Sequence, residues 1–249
     1  MPQATMNIMS FYNQDMNHAD PDSVYNAWLD FNKSIKGIDP ALDNWFYLAK
    51  ATPDEVVYFD AIKEKEKVIS SVLRKKSKGN NVSRNDVKGA RFRAWSKRIP
   101  AKGPENERED SLVAFSSLTG GTDRRPARFH LEVTELQDAP SEKEMEAFTR
   151  ICKSISGVTV PIWLNACPSA YIDYAVFPHR HRIGWMAVVP GADISGELSF
   201  LAYDEYLPDI GTLIVTTKDR FSILNPEHIE ASQAAEVALN KLGLLPEAR

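Results

Sequence analysis

The sequence predicts an α+β fold, a largely antiparallel sheet flanked by helices, as a single domain over residues 1–249. Three observations lead there. Four short apolar runs, at 158–164, 183–189, 197–203 and 213–217, fill the last hundred residues, punctuated by Pro168, Pro190-Gly191 and Leu207-Pro208. Helix signals gather toward the two ends without regular alternation with strands. The chain has 249 residues, 43% of them hydrophobic and 26% charged, which suits a soluble protein with one proper core.

The clearest stretch is 211–246. Leu213, Ile214 and Val215 form a β-branched run bounded by Gly211 and Lys218-Asp219-Arg220. Asn225 can cap a helix whose first position suits Pro226, with Glu227 and Glu230 at the positive end of its dipole. Gly243 and Pro246 mark its end. Ala231, Ala234, Ala235, Ala238 and Leu242 repeat at helical spacing, and this small-residue stripe predicts a helix lying close on a sheet.

From the start of the chain, Asp20-Pro21 or Asp22 opens a helix in which Val24, Trp28, Phe31 and Ile35 share a face, ended by Gly37. A turn at Asp39-Pro40 leads to Trp45, Phe46 and Tyr47. Thr52-Pro53-Asp54-Glu55 reads as a capping box for a helix burying Tyr58, Ile62, Ile69, Val72 and Leu73, with a basic last turn at 74–78. Residues 91–95 alternate as an edge strand would, and 101–110 read as an exposed loop. Strands are expected at 112–118 and 127–136, joined through Gly120-Gly121. Ser141 and Glu144 then form a second capping box, for a helix with Met145, Phe148, Cys152 and Ile155 inward.

The residues offer no catalytic centre, cofactor or metal. His179 and His181 would share one side of a strand, yet no third ligand has a fitting spacing, and Arg180 and Arg182 repel a cation. His130-x-Glu132 lacks the paired cysteines of a zinc deaminase. Serine, cysteine and histidine are too scattered for a nucleophilic triad, and Gly120-Gly121 has no phosphate-loop context. Cys152 and Cys167 suggest a reducing compartment. The opening residues lack a signal peptide's pattern, and no apolar run approaches a membrane span.

Charge is segregated behind a net of −4. Residues 61–103 hold fourteen basic and three acidic side chains, in an otherwise acidic chain. Arg84, Lys88, Arg91, Arg93, Lys97 and Arg98, interleaved with Phe92 and Trp95, give the alternative reading: a nucleic-acid-binding module using segment 74–103. The acidity of the remainder argues against a polyanionic partner.

Ile183-Gly184-Trp185-Met186-Ala187 ahead of a proline turn, then GTLIVTT, Phe221 with NPEHIEAS, and LGLLP, resemble the immunity protein 52 family. The first helix with Trp28, followed by Asp39-Pro40 and Trp45, is similar to that family's opening. The resemblance covers roughly the first 50 and last 70 residues. It implies a bacterial antitoxin of interbacterial competition, cytoplasmic and non-enzymatic. Its partner would be a cognate toxin delivered by type VI secretion, commonly a nuclease of restriction-endonuclease-like fold. Tolerance of such a toxin demands nanomolar affinity, about −12 kcal/mol, over an interface of about 1,600 Å² with a few aromatic or arginine anchors. The run ELSFLAYDEY supplies the expected partner surface in Tyr203, Asp204, Glu205 and Tyr206, where carboxylates beside aromatic rings would answer a basic nuclease groove. Arg180, Arg182 and Trp185 are the next candidates.

Overall fold

Two opposed patterns, capped amphipathic helices and short runs with period two, resolve into one sheet with helices on both faces. The computed structural model describes residues 5–13, 20–51, 56–78, 91–96, 114–119, 126–138 and 143–248. In chain order these form β1 (Met6–Tyr12), α1 (Pro21–Ile35), β2 (Phe46–Ala51), β3 (Val56–Asp60), α2 (Lys65–Lys78), β4 (Arg91–Trp95), β5 (Ala114–Thr119) and β6 (Ala127–Val133). Then follow α3 (Glu144–Val158), β7 (Trp163–Pro168), β8 (Met186–Pro190), β9 (Tyr203–Leu207), β10 (Gly211–Val215) and α4 (Pro226–Lys241). The ten strands make one sheet in the order β3-β2-β4-β5-β6-β1-β7-β8-β10-β9, and every named pair is antiparallel. The expected α+β class is what forms.

The larger core lies under α1, α2 and α3. Alternation puts Met6, Ile8 and Tyr12 of β1 there, with Phe129, Leu131 and Val133 of β6 and Leu213 and Val215 of β10. On α1 the stripe Val24, Trp28, Phe31, Ile35 is fully buried, and Asp20 caps the helix by accepting from the Asp22 and Ser23 amides. Trp28 stands edge-on to Trp45 at 6.3 Å and against Phe92 at 4.4 Å, while its indole N–H donates to Ser116 Oγ at 2.9 Å. The opposite face carries a smaller core, in which Trp163, Ala187, Val189 and Ile214 meet Ala235 and Leu239 of α4.

Several elements differ from expectation. β1 lies at the middle of the sheet between β6 and β7, although its stretch offered no reading. Val56–Asp60 is a strand that takes Tyr58, and α2 begins only at Lys65. The turn between them is organised by Asp60, whose Oδ1 accepts from the Ile62 and Lys63 amides, and by Glu64, which accepts from the Asp60 amide at 2.8 Å. The box at 52–55 lies outside the described residues. β4 sits inside the sheet between β2 and β5, not at its edge. Because α3 runs to Val158, β7 starts later than expected, and residues 197–202 form turns so that β9 begins at Tyr203. Helix α3 starts at Glu144, behind Lys143 without a side-chain cap; Ser141 lies outside the described residues.

The last helix forms where expected, capped by Asn225 Oδ1 on the Glu227 amide. Its buried face, however, is His228, Ser232, Ala235, Glu236 and Leu239. Of the alanine stripe only Ala235 is buried, and Leu242 is 49% exposed. The physical reason is a need for acceptors below the helix, which alanine cannot meet.

Candidate functional site

Glu236 shows what those acceptors do. Its carboxylate, 1% exposed, accepts from the Val176 amide at 2.8 Å, the Tyr171 hydroxyl at 3.1 Å and the Ile183 amide at 3.3 Å. One turn earlier, Ser232 Oγ accepts from the Gly184 amide at 2.9 Å. Gly184 has φ +73°, and a Cβ there would fall 2.1 Å from the Cys167 Cβ, so no other residue fits. Thus α4 pins segment 169–184, which carries the expected Arg180 and Arg182 and runs into Trp185, onto the sheet. Burial raises the Glu236 pKa, against the hydrogen bonds of Val176, Ile183 and Tyr171 and the charge of Arg182.

The three expected residues separate. Trp185 is fully buried, its indole donating to the Thr217 carbonyl at 2.9 Å and its ring 5.2 Å from Phe148. It is a core anchor with no surface to offer. Arg180 is half-buried and donates to the Leu245 carbonyl, holding the C-terminal residues together with an antiparallel backbone β-bridge between positions 180 and 247. Arg182 is half-buried too, and its carbonyl accepts from the Trp163 indole at 3.0 Å. His181 stacks on Trp163 at 5.9 Å and lies 4.9 Å from Phe11. Burial, then Arg182, pushes its pKa down to about 4.

That shift has a sign. Above pH ~6.5 the ring is neutral in both states; below it the unfolded chain takes up a proton that the folded chain refuses until about pH 4. Stability is therefore lost as pH falls from 6.5 to 4, by about 1–2 kcal/mol after allowing for partial exposure. Urea midpoints at pH 7 and pH 5 should show a smaller acid loss in His181→Phe than in wild type. Equal losses would refute this origin.

Tyr203, Asp204, Glu205 and Tyr206 do come together, on β9 at one end of the sheet. Alternation divides them. Tyr203 and Glu205 lie on the α3 side, where Lys153 pairs with Glu205 and the Tyr203 hydroxyl also donates to it. The hydrogen bonds from Lys153 and Tyr203 hold the Glu205 carboxyl below its usual pKa. Asp204 and Tyr206 point to the α4 side. Asp204 accepts from the Gly196 amide at 2.6 Å, and Tyr206 is 43% exposed. Among the described residues β9 pairs with β10 alone, leaving its other edge outward. Lys153 could not be found from sequence, since nothing local ties it to Glu205.

Much of the basic segment lies outside the described residues. Phe92, expected as a base-stacking ring, is 2% exposed and packed among Trp28, Tyr25 and Tyr47. Trp95 packs 5.5 Å from Phe115, and Arg93 is exposed. Cys152 and Cys167 are buried free thiols, raised by burial to about 12 and about 11. Among the described residues no group of three or more His, Cys, Asp or Glu could hold a metal, and no helix is long and apolar enough to cross a membrane.

Residues 132–248 match the family model of Immunity protein 52. The resemblance read from the C-terminal motifs is thereby shown, and it begins on β6, earlier than those motifs reached. The N-terminal stretch with Trp28 and Trp45 lies outside the match. No curated protein matches the chain. Among solved structures, a Pseudomonas aeruginosa T6SS protein is similar with a TM-score of 0.50 and 11% identity, over 97% of this chain and 76% of that one. At that identity the likeness establishes the fold alone, and it extends to nearly the whole chain. The immunity protein 52 match covers α3, β7 to β10 and α4, and hence the Glu236 network and β9.

Proposed function

We propose that this chain is a cytoplasmic immunity protein that binds a cognate secreted toxin stoichiometrically and neutralises it, without enzymatic activity of its own. The observation that carries this is the immunity protein 52 match over residues 132–248. The toxin, on this reading, is a nuclease of restriction-endonuclease-like fold delivered by type VI secretion. The outward edge of β9 suits the contact. Tyr206 offers a ring at little entropic cost, Asp204 and Glu205 offer carboxylates, and the Lys153 and Tyr203 contacts fix Glu205 before a partner arrives. Co-expression with the toxin encoded by a neighbouring gene should protect cells, and the two proteins should co-purify. Killing that continues despite full expression of the folded chain would refute the reading.

The contact itself is tested by Asp204→Lys with Glu205→Lys. The Lys153–Glu205 pair is over one-third exposed on the acid's side, so its loss costs no more than about 1 kcal/mol; the variant also gives up the Gly196–Asp204 and Tyr203–Glu205 bonds, so circular dichroism checks its fold first. Toxin association should slow, and Kd should rise roughly tenfold to a hundredfold at low salt, less at high salt. Wild-type association in the double variant would remove β9 from the interface and leave Arg180 and Arg182 as the next expected contacts.

A further inference from the structure

Strand β9 closes one end of the sheet, and hydrogen bonds two strands away reveal which of its backbone groups are already used. Along an antiparallel strand successive residues turn their N–H and C=O to opposite sides. The Gly191 amide donates to the Ile210 carbonyl at 2.9 Å, and the Thr216 amide to the Trp185 carbonyl at 2.8 Å. Between these two, Thr212 and Ile214 of β10 therefore bond toward β8, which leaves Leu213 and Val215 for β9. The Ala202 amide agrees, donating to the Val215 carbonyl at 2.9 Å. Leu213 stands opposite Glu205 and Val215 opposite Tyr203, so Tyr203 and Glu205 use their backbone on β10. Asp204 and Tyr206 turn their N–H and C=O groups outward, where no strand stands among the described residues.

The side chains around those groups restrict what can pair there. A second copy using the same groups would set Glu205 against its own equivalent. A shift of two residues would set Asp204 against itself, or against Pro208, which has no N–H. Like charges directly opposite destabilise a strand pair, so β9 is guarded against its own kind. A strand bearing positive charge meets no such bar.

We infer that β9 takes up an extended segment of a protein partner as an added antiparallel strand, with lysine or arginine opposite Asp204 and an aromatic or β-branched residue opposite Tyr206. In this mode main-chain bonds give the affinity and alternate side chains the selection. Asp204 and Tyr206 share the α4 side, where an opposite charge and a ring or branched chain are the favourable cross-strand partners. Glu205, on the α3 side, is already paired with Lys153, so the demand for a cation falls on the position opposite Asp204. Strand addition rests on β9 being the partner surface, as proposed above, and not on the partner being a nuclease.

The test uses isotope-labelled protein and an acetylated hexapeptide amide, threonine-tyrosine-threonine-lysine-threonine-valine, whose tyrosine and lysine would lie opposite Tyr206 and Asp204. In the free protein the Asp204 and Tyr206 amides should exchange with solvent at least tenfold faster than those of Tyr203 and Glu205. The peptide, with a millimolar Kd, should slow the first two and leave the others as they were. Methyl groups on its tyrosine and lysine nitrogens, which would face β9, should weaken binding at least tenfold. Methyl groups on the two threonine nitrogens that follow them, which would face away, should not. Glutamate in place of the lysine should also weaken binding at least tenfold. Tyr206→Pro, tolerated where an edge N–H faces solvent, should bind the peptide more weakly than Tyr206→Ala, which keeps that N–H. Equal effects of the two methylation patterns, or slow exchange of Asp204 and Tyr206 in the free chain, would overturn strand addition. Undiminished binding of the glutamate peptide would overturn the basic partner, and a dimer protecting the same two amides would overturn the choice against a second copy. Absent peptide binding would overturn strand addition even if the toxin contact still responds to Asp204→Lys with Glu205→Lys. Peptide binding without any toxin contact would uphold it and refute only the function proposed above.

Discussion

Replacing Arg220 with alanine is expected to destabilise the fold by about 3–5 kcal/mol, the loss typical of breaking a buried ion pair. The guanidinium donates to Glu144 Oε1 at 2.6 Å and to the Thr134 carbonyl at 3.0 Å, and it lies 5.7 Å from the centre of the Phe148 ring. Both side chains are nearly buried, 9% and 4% exposed. One residue thus ties the loop after β10 to the end of β6 and the start of α3. Without it the Glu144 carboxylate stays in a low-dielectric site with its charge uncompensated. Thermal unfolding should show a fall of roughly 10 °C or more. The double variant Arg220→Met, Glu144→Leu removes both charges and should recover most of the loss. A double variant no more stable than Arg220→Ala would mean that the cost comes from lost packing.

Glu236→Ala should cost about 2–4 kcal/mol, because three donors lose their acceptor while the desolvation of one carboxylate is relieved. Hydrogen exchange locates the effect. The Val176 and Ile183 amides should lose protection well before the strands of the sheet do, since Glu236 is their acceptor. Burial raises the Glu236 pKa, so the folded chain keeps a proton that the unfolded chain has released. This contribution favours folding below the ordinary glutamate pKa and is lost as pH rises through the raised one, opposite in sign to that of His181. Glu236→Gln should remove that pH dependence while keeping one acceptor oxygen. Unchanged protection of Val176 and Ile183 in Glu236→Ala would refute the pinning role.

How much of this was legible in the sequence depended on whether the deciding contacts were local. Helix α1 could be read because Asp20, Pro21 and the stripe from Val24 to Ile35 lie within one segment. Strand β1 could not, because its sequence does not alternate as its burial does: polar Ser10 lies on the core face with Ile8 and Tyr12, while apolar Met9 and Phe11 are half-buried on the other. The alanines of α4 suggested close packing, yet its buried face was chosen by donors at Tyr171, Val176 and Ile183, over fifty residues away. Trp185 sat in a motif that carried the family resemblance, and that motif proved to be core. Tyr203 to Tyr206 were grouped at the end of a strand expected over 197–203, whereas they form β9 itself, and their division between two faces needed the register with β10. The pairing of Glu132 with Asn7 joins positions 125 residues apart, beyond any spacing argument.

The central claim is tight, stoichiometric neutralisation, and calorimetric titration against the toxin encoded by a neighbouring gene tests it most directly. The account predicts one-to-one binding with Kd in the nanomolar range or below, about −12 kcal/mol, and loss of toxin activity at one equivalent. Micromolar or absent binding, or a toxin fully active in the presence of excess folded protein, would contradict it.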